Sequence, residues 1–338
     1  MFEQKTVGVV IPCYNEERQI AGVLSTTPDF VDCVMVVDDC STDRTCAVLD
    51  DLIRSQGQSS RIVLLRHEKN SGPGAAVVTG YREALRRGMD VVVKMDGDGQ
   101  MDPNEMRLLV GPVARGEADY AKGNRLFHRD AWTNVPRIRY LGNAFLSMLT
   151  KIASGYWHVA DSQTGYTAIS LEALQTIDLD GIYRRYGYPN DMLVRLNVCD
   201  MRVADVPIRP VYNVGERSKM RLWKVIPTMS YLIFKRFCWR MWHKYVVHDF
   251  HPLVLFYLTG GVLGFAAVAL FVRMVVMWIV ASRIPPINAL MWAFCAVSAM
   301  QFILFAMWFD MEMNRDLKVR VPHDKGGTPG APPRSAGS

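Results

Sequence analysis

The residues of this chain best suited to chemistry are two carboxylates separated by a single residue, Asp96 and Asp98. Two carboxylates at this spacing can share a hard cation, and oxygen ligands suit Mg²⁺ or Mn²⁺. A cation held there would neutralise charge on a departing diphosphate. The pattern is short, so an acidic turn in contact with solvent is the alternative at this point.

Two further clusters of polar or glycine residues come earlier in the chain. Asp38 and Asp39 follow the apolar segment Val34–Val37. An acidic residue in this place accepts hydrogen bonds from a ribose or a base, or caps the next helix. Gly72 and Gly74 precede a helical segment, which is typical of a backbone-lined anion site or of a tight turn. Neither cluster decides between its alternatives alone.

The elements that must position these residues alternate between strands and helices. Four apolar segments are typical of buried parallel strands: Val7–Ile11, Val34–Val37, Ile62–Leu65 and Asp90–Met95. Helical segments between them predict an α/β fold with a Rossmann-like, mostly parallel sheet. Such sheets bind ligands beyond the carboxyl ends of their strands. The polar clusters stand at those ends, so we expect one site assembled from several loops.

Four motifs occur in order and together carry a resemblance. They are Val9–Glu17, Val36–Asp43, Asn70–Ala76 and Lys94–Pro103. The set resembles the family-2 glycosyltransferases with the A-type nucleotide-sugar fold. Within that family it looks most like the dolichol-phosphate-mannose synthases and the polyprenyl-phosphate glycosyltransferases. The resemblance covers roughly residues 5–220 and says much less about the sugar than about the family.

The resemblance implies roles for individual residues on the donor side. The implied donor-binding residues are Pro12, Tyr14, Glu16, Asp38, Asp39, Gly72, Gly74, Asp96, Gln100 and Lys219. Asp96, Asp98 and Gln100 are implied at the metal, which would be Mg²⁺ or Mn²⁺, with Gln100 beside the transferred sugar. Asp98 is also an implied catalytic residue. The segment Asp161–Tyr166 resembles one that shapes the sugar pocket.

A second implied group is cationic. Arg125 matches an arginine that faces the acceptor phosphate, and Arg139 is a looser match that would assist it. Arg217 and Lys219 match a basic segment that closes on the diphosphate, and Arg217 is implied as catalytic. Donor and acceptor both carry phosphate, so their repulsion must be screened, and arginine suits bidentate phosphate contacts. Ordinary surface charge is the alternative for Arg139.

Asp191 is the last implied catalytic residue. Asn190-Asp191 falls where many members of the family have an acidic pair that carries a general base, and here the first acid is Asn. A sugar hydroxyl needs a base to take its proton. A phosphate acceptor, with a second pKa of about 6, is already ionised. The surviving acid is compatible with either acceptor and mildly favours phosphate; a helix cap or exposed acid is the alternative.

The C-terminal third has the composition of a membrane anchor. Leu253–Val272 and Ile287–Phe309 contain 20 and 23 residues without a charge. At about 1.5 Å per residue, each spans a hydrocarbon core of roughly 30 Å. Arg217–Lys244 contains eight Lys or Arg and no Asp or Glu, which predicts a cytosolic flank. The aromatic and basic segment Trp223–Lys244 predicts interfacial helices. Two buried helices of a soluble domain are the alternative.

These observations predict four regions. They are a cytosolic catalytic domain (1–220), interfacial amphipathic helices (221–250), two transmembrane helices (251–312) and a disordered tail (313–338). Within the third region the helices are expected at 253–272, extending to 281, and at 287–309. The N-terminus shows no signal peptide. Seven scattered cysteines without a CxxC pair argue against a disulfide framework and a zinc site.

The predicted function is that of an inverting glycosyltransferase at the cytosolic face of a membrane. It would move a sugar from a UDP- or GDP-sugar to a polyprenyl phosphate, undecaprenyl or dolichyl. One alternative is transfer to a hydroxyl of a glycolipid or polysaccharide. Another is a catalytically silent membrane scaffold with the same fold. No nucleic-acid-binding motif accompanies the net charge of +6, and Gly260, Gly261 and Gly264 leave a homo-oligomer possible.

Overall fold

The strands of the described chain belong to one sheet. The computed structural model describes residues 1–56, 61–127, 137–209, 211 and 222–320. The strands are β1 (Val7–Cys13), β2 (Cys33–Asp38), β3 (Ile62–Arg66), β4 (Val91–Lys94), β5 (Tyr120–Asn124), β6 (Thr167–Ser170), β7 (Val203–Pro207) and β8 (Lys318–Val319). Their order across the sheet is β3-β2-β1-β4-β6-β5-β7-β8.

The helices fall into an N-terminal set and a C-terminal set. The first set is α1 (Ile20–Ser25), α2 (Thr45–Gln56), α3 (Pro73–Arg86), α4 (Met106–Ala114), α5 (Arg137–Ser154), α6 (Leu171–Thr176) and α7 (Tyr188–Val198). The second set is α8 (Leu222–Trp242), α9 (Leu253–Ala281) and α10 (Pro286–Met313). A π-helical turn, His243–His248, follows α8.

The strand directions confirm the mostly parallel sheet. β1 pairs in parallel with β2 and β4, and β5 pairs in parallel with β7. β6 is antiparallel to both its neighbours, β4 and β5, so β4 and β5 run in the same direction. Among the described strands, β6 is therefore the only one that is reversed.

The sheet is covered on both faces because alternate residues of a strand point to opposite sides. Val7, Val9 and Ile11 of β1 belong to a core cluster with residues of α1, α2 and α4. Val10 belongs to a second cluster with residues of α3, α6 and α7. Burial on both faces explains why the β1 segment is continuously apolar in the sequence.

The two predicted spans lie inside two long apolar helices. α9 and α10 are long and apolar enough to cross a membrane, and only 6% and 17% of their most apolar windows are buried within the protein. The break between them is sharp: Ser282 has a φ of 49°, and Pro285 and Pro286 begin α10. Exposure this extensive does not fit two core helices of a soluble domain.

The chain after α10 differs from the prediction. A disordered tail was expected from residue 313, but Arg315–Leu317 forms a 3₁₀ turn and β8 follows it. β8 pairs in parallel with β7, with Lys318 opposite Val203. The expectation is therefore wrong for these residues, because their backbone pairs with β7 at the edge of the sheet. Residues 321–338 lie outside the described residues.

Candidate active site

The carboxyl ends of β1, β2, β4 and β5 form one edge of the sheet, and the four sequence motifs meet there. Cys13 at the end of β1 lies opposite Asp38 at the end of β2. The Asn15 backbone N–H donates to Ser41 Oγ at 3.0 Å. A Cβ on Gly97 would lie 3.3 Å from Cys13 Cβ, so the acidic turn packs directly against the end of β1.

Asp96 is paired with a buried cation. Its Oδ1 accepts a hydrogen bond from Lys94 Nζ, and the Lys94 side chain is only 2% exposed, whereas that of Asp96 is 35% exposed. Lys94 Nζ also lies 5.6 Å from the centre of the Tyr188 ring. The carboxylate therefore has one oxygen on an internal ammonium group and a partly open side towards solvent.

Gly165 allows this arrangement. A Cβ at that position would lie 2.3 Å from Lys94 Nζ and 3.1 Å from Asp96 Oδ2. Any side chain would therefore collide with the pair, since real Cβ contacts are longer than this. Gly165 brings the segment after Asp161 against the acidic turn.

Asp98 stands one residue beyond the packed Gly97. Its Oδ1 accepts from the Gln100 backbone N–H at 3.0 Å, and Gly99 between them has a φ of 74°, which favours glycine. Asp98 and Gln100 are both half-buried. The turn thus presents two carboxylates at intermediate exposure.

These donors fit Mg²⁺ or Mn²⁺. No group of three or more His, Cys, Asp or Glu that could hold a metal is present within the described ranges. Mg²⁺ is commonly bound by one or two carboxylates, with phosphates and water completing its shell. Asp96 and Asp98 supply that minimal set of hard oxygen ligands, so the residues present suit a cation that arrives with a diphosphate.

Arg125 follows β5 and is oriented by a buried acid. Its Nε donates to Asp161 Oδ2 at 2.7 Å, and its second Nη donates to Asp161 Oδ1 at 3.2 Å. Burial would raise the pKa of Asp161, but the Arg125 guanidinium outweighs it and the pKa is lowered. Arg125 is 36% exposed, so its cation is both fixed and accessible.

A second buried lysine lies beneath Arg125. Lys122 is fully buried, and its Nζ donates to Thr164 O at 2.6 Å. Burial lowers the pKa of Lys122 to about 7, against the opposing effect of Asp161. Asp205 lies opposite Lys122 on β7, and burial raises the pKa of that carboxyl to about 6.

The predicted nucleotide-side residues lie at the ends of β1 and β2 with different exposures. Tyr14 is exposed, while Pro12 and Glu16 are half-buried. Asp38 is buried and accepts from the Ser41 hydroxyl. For Asp38 this favours a turn-capping role over direct contact with a ribose.

Asp39 ties β2 to the loop before α3. Its Oδ1 accepts from the Ser71 backbone N–H and its Oδ2 from the Gly72 backbone N–H, both at 2.8 Å. His67 Nδ1 lies 2.7 Å from Asp39 Oδ1, and His67 Nε2 lies 2.8 Å from Thr79 Oγ1. Asp39 is thus held by His67 and by the Ser71 and Gly72 backbone, at the end of the site where the sequence predicts the nucleotide.

Gly72 and Gly74 make room for protein backbone. A Cβ on Gly72 would lie 2.5 Å from Arg184 O, and one on Gly74 would lie 2.2 Å from Tyr183 O. The Ala75 backbone N–H, in the first turn of α3, donates to Arg184 O at 3.2 Å. Of the two alternatives left by the sequence, the structure therefore favours the tight turn over the anion site.

Asp191 does not lie in an open site. Its side chain is fully buried and its Oδ1 lies 2.6 Å from Arg236 Nε. Its Oδ2 accepts from the Tyr183 backbone N–H at 2.7 Å and from Arg195 Nε at 3.3 Å. Burial raises the pKa of this carboxyl despite the two arginines. The role of catalytic base stays a prediction, and the contacts of the structure show that Asp191 joins α7 to α8.

Three predicted cationic residues cannot be placed. Arg217 and Lys219 lie outside the described residues, and Arg139 is described only as part of the α5 backbone. Conversely, sequence reasoning missed Lys94, Lys122 and Asp161 as individual site residues. For the two lysines, a signal was present in the sequence: each lies at or near the end of a predicted or observed strand, directly before a polar motif.

An apolar cavity of about 570 Å³ lies between α8 and the start of α9. Phe237, Met241 and Trp242 line it from α8, and Tyr257 and Phe265 line it from α9. The cavity is therefore bounded by α8 on one side and by α9, the first apolar helix, on the other.

Comparison with known proteins agrees with this architecture. The chain is 35% identical over 214 residues to an undecaprenyl-phosphate mannosyltransferase of Micrococcus luteus, covering 62% of this chain and 86% of that one. It is 29% identical over 219 residues to a UDP-N-acetylglucosamine–dolichyl-phosphate N-acetylglucosaminyltransferase of Methanococcus voltae, covering 62% and 87%. A polyprenol monophosphomannose synthase of Mycolicibacterium smegmatis is 31% identical over 208 residues, covering 61% and 77%.

Among solved structures, the fold is similar to that of glucosyl-3-phosphoglycerate synthase from Mycobacterium tuberculosis, crystallised with Mn²⁺ and UDP. The TM-score is 0.50 at 21% identity, and the match covers 70% of this chain and 80% of that one. This likeness concerns the fold. The model of glycosyl transferase family 2 matches residues 8–178. The chain belongs to glycosyl transferase family 2.

Proposed function

We propose that this protein is an inverting glycosyltransferase that moves a sugar from a UDP- or GDP-sugar to a polyprenyl phosphate at the cytosolic membrane face. The observation that carries the proposal is that a family-2 catalytic fold continues into two exposed apolar helices. The names of the similar proteins from three organisms supply the acceptor class.

On the donor side, Asp96 and Asp98 would hold Mg²⁺ or Mn²⁺ together with oxygens of the nucleoside diphosphate. When bound, the cation supplies charge neutralisation for the leaving diphosphate. The half-buried Gln100 follows this turn, and we place it beside the sugar. Tyr14 and Glu16, at the end of β1, would contact the nucleotide, with Asp39 fixing the neighbouring loop.

On the acceptor side, Arg125 would receive the phosphate. Its bidentate bond with Asp161 fixes the guanidinium plane, and at 36% exposure the arginine is accessible to a phosphate, whose geometry a guanidinium suits. An acceptor phosphate oxygen would attack the anomeric carbon of the sugar as the bond from that carbon to the diphosphate breaks. The electron pair leaves with the nucleoside diphosphate, and the configuration at the anomeric carbon inverts.

This acceptor needs no strong general base. A phosphate monoester is largely ionised at neutral pH, because its second pKa is about 6. A sugar hydroxyl would need a base within hydrogen-bond reach. The buried, doubly paired Asp191 is poorly placed for that work, which favours the phosphate over a glycolipid or polysaccharide hydroxyl.

Membrane insertion of α9 and α10 would bring the lipid to the site. The cavity between α8 and α9 is lined by apolar side chains, which suit part of an isoprenoid chain. Lys235, an exposed basic residue of α8, would lie at the cytosolic headgroup surface, where anionic lipids attract it. Arg240 and Lys244 are buried instead and face the protein. Confinement of enzyme and acceptor to one surface raises their effective concentration.

A transfer assay tests the proposal. Purified protein in detergent would receive radiolabelled UDP- and GDP-sugars, Mg²⁺ or Mn²⁺, and undecaprenyl or dolichyl phosphate. We expect label in an organic-extractable product that is labile to mild acid, and its loss in Asp98→Ala. Asp51→Ala, which removes an exposed acid of α2, is the matched control and should retain activity.

Metal-dependent donor binding without transfer to any lipid phosphate would overturn the acceptor assignment. Glycan or glycolipid acceptors would then be tested next. Failure to bind any nucleotide sugar would instead favour the silent scaffold.

A further inference from the structure

The junction between the catalytic domain and the apolar hairpin contains a buried ion pair. Arg240 of α8 donates to both carboxylate oxygens of Asp310 in α10, at 3.0 and 2.9 Å. Both side chains are fully buried. The bidentate geometry fixes the direction of the carboxylate as well as its distance.

Polar groups from several elements surround this pair. Tyr245 of the π-helical turn donates its hydroxyl to Asp310 Oδ1 at 2.7 Å. Asn197 of α7 accepts from Arg240 at 3.1 Å, and its amide donates to Asn314 Oδ1 at 2.7 Å. The second apolar helix is thus bonded to both α7 and α8.

A second cation, Lys244, contributes further hydrogen bonds to this junction. Lys244 Nζ donates to Asn314 Oδ1 at 3.0 Å, to Asn197 O at 2.7 Å and to Asp200 Oδ1 at 2.6 Å. Gly155, with a φ of 75°, leaves the space that Arg240 occupies, since a Cβ there would lie 2.4 Å from its Nη1.

β8 supplies an independent anchor on the same end of α10. Only Asn314 and the short 3₁₀ turn Arg315–Leu317 separate α10 from β8, which adds to the edge of the sheet beside β7. The end of α10 is therefore held by side chains and by backbone pairing within a few residues.

Stability alone is a poor explanation for such a pair. Desolvation of two buried charges offsets much of their attraction, and apolar residues of similar volume are often as stabilising. What a bidentate buried pair provides is a single geometry. A fixed orientation between the domain that carries the site and the apolar helices is useful in a protein whose site must face a lipid headgroup.

We propose that Arg240 and Asp310 are positioning residues that set the height and tilt of the catalytic domain over the membrane. Rigid attachment keeps the acidic turn and Arg125 at the level of the acceptor phosphate. This inference rests on the proposed function, because it takes the acceptor to be a membrane lipid. A short acceptor that diffuses in water reaches the site without this alignment.

The test uses full-length protein in proteoliposomes with two acceptors: a long-chain polyprenyl phosphate in the bilayer, and a short-chain, water-soluble prenyl phosphate. For Asp310→Asn we expect kcat/KM for the bilayer acceptor to fall about 10- to 100-fold, the scale of a misplacement of about 1 Å. We expect the value for the soluble acceptor to remain unchanged.

Glu312→Gln is the matched control, since Glu312 is an exposed acid two residues further along α10 that pairs with Arg315. It should leave both acceptors unaffected. Arg240→Lys keeps the charge and loses the bidentate contact, so it should repeat the selective loss if the Asn variant does not fold. Equal loss on both acceptors, or loss on neither, would overturn the positioning role. Wild-type protein inactive on both would instead overturn the proposed function, and this inference with it.

Discussion

Asp96 has a cation beside it before any metal arrives. Lys94 Nζ is bonded to its Oδ1 inside the protein, so a divalent cation at the same carboxylate would meet a neighbouring positive charge. We expect Lys94→Met to bind Mn²⁺ about tenfold more tightly in the absence of nucleotide, because a like charge in a region of low dielectric is removed. Titration followed by electron paramagnetic resonance of free Mn²⁺ measures this directly.

The control for that change is Lys5→Met, which removes a half-exposed lysine paired with Asp90 at 3.7 Å. It should bind Mn²⁺ as the wild type does. Unchanged or weaker Mn²⁺ binding by Lys94→Met would show that Lys94 supports the carboxylate rather than competing for it.

Lys122 predicts a pH dependence of stability. Burial lowers its pKa to about 7 from 10.5, so between these values the unfolded chain holds a proton that the folded chain lacks. Stability therefore rises with pH across this window, with a slope of at most about 1.4 kcal/mol per unit from this group. The midpoint temperature of the wild type, relative to that of Lys122→Met, should rise from pH 7 to pH 9.

The comparison with Lys122→Met isolates this lysine because the other titrating groups are common to both proteins. Parallel midpoint curves over the same pH range would mean that Lys122 keeps an ordinary pKa. A wild type that loses stability relative to the variant would contradict the sign of the argument.

At the residue scale, the sequence identifies the polar groups at the ends of the strands. It says little about which residues those groups contact. Asp96 and Asp98 are predictable because a polar pair follows an apolar strand. The bond between Arg125 and Asp161 joins residues 36 apart, and such a partner is fixed only by the tertiary fold. The burial of the Lys94 ammonium group could not be predicted from the sequence. The residues that lie against it, Gly165 and Tyr188, come much later in the chain.

At the scale of elements, Asp191 holds two helices together. Its carboxylate is buried between Arg195 of α7 and Arg236 of α8. We expect Asp191→Asn to lower the free energy of unfolding by about 3–5 kcal/mol, since Arg236 loses its carboxylate partner in a largely buried place, while Arg195 keeps Asp178. The surviving enzyme should keep the shape of its pH–rate profile. Thermal unfolding in detergent and initial rates from pH 5 to 9 check both parts.

For comparison, Asp51→Asn changes an exposed acid on α2 and should alter neither quantity. A variant at position 191 with wild-type stability but without the acidic limb of its pH–rate profile would support the role of catalytic base.

The strands and helices of the catalytic domain were largely predictable because their apolar residues follow strand and helix periods. Val7–Ile11 was predicted and Val7–Cys13 is observed; the two extra residues continue the pairing with β2. The reversed direction of β6 and the addition of β8 were not predictable. β6 lies between β4 and β5, and β8 lies at the edge beside β7; local patterns carry no information about which strands become neighbours.

At the scale of the whole molecule, the two apolar helices were predictable from length and lack of charge alone. Their attachment was not, since Arg240 and Asp310 lie 70 residues apart and each resembles a surface charge in the sequence. The family-2 domain is thus joined to the two apolar helices by buried polar contacts as well as by the chain.

The measurement that tests the central claim most directly compares two acceptors that differ only in the phosphate. Proteoliposomes would contain either a polyprenyl phosphate or the polyprenol of the same length, with the donor sugar identified by the transfer assay. Mass spectrometry of the extracted lipid would detect the product, and nuclear magnetic resonance would assign its anomeric configuration. We predict a glycosyl polyprenyl phosphate with inverted anomeric configuration, and no product from the alcohol. Transfer to the alcohol, or equal transfer to both lipids, would contradict the account.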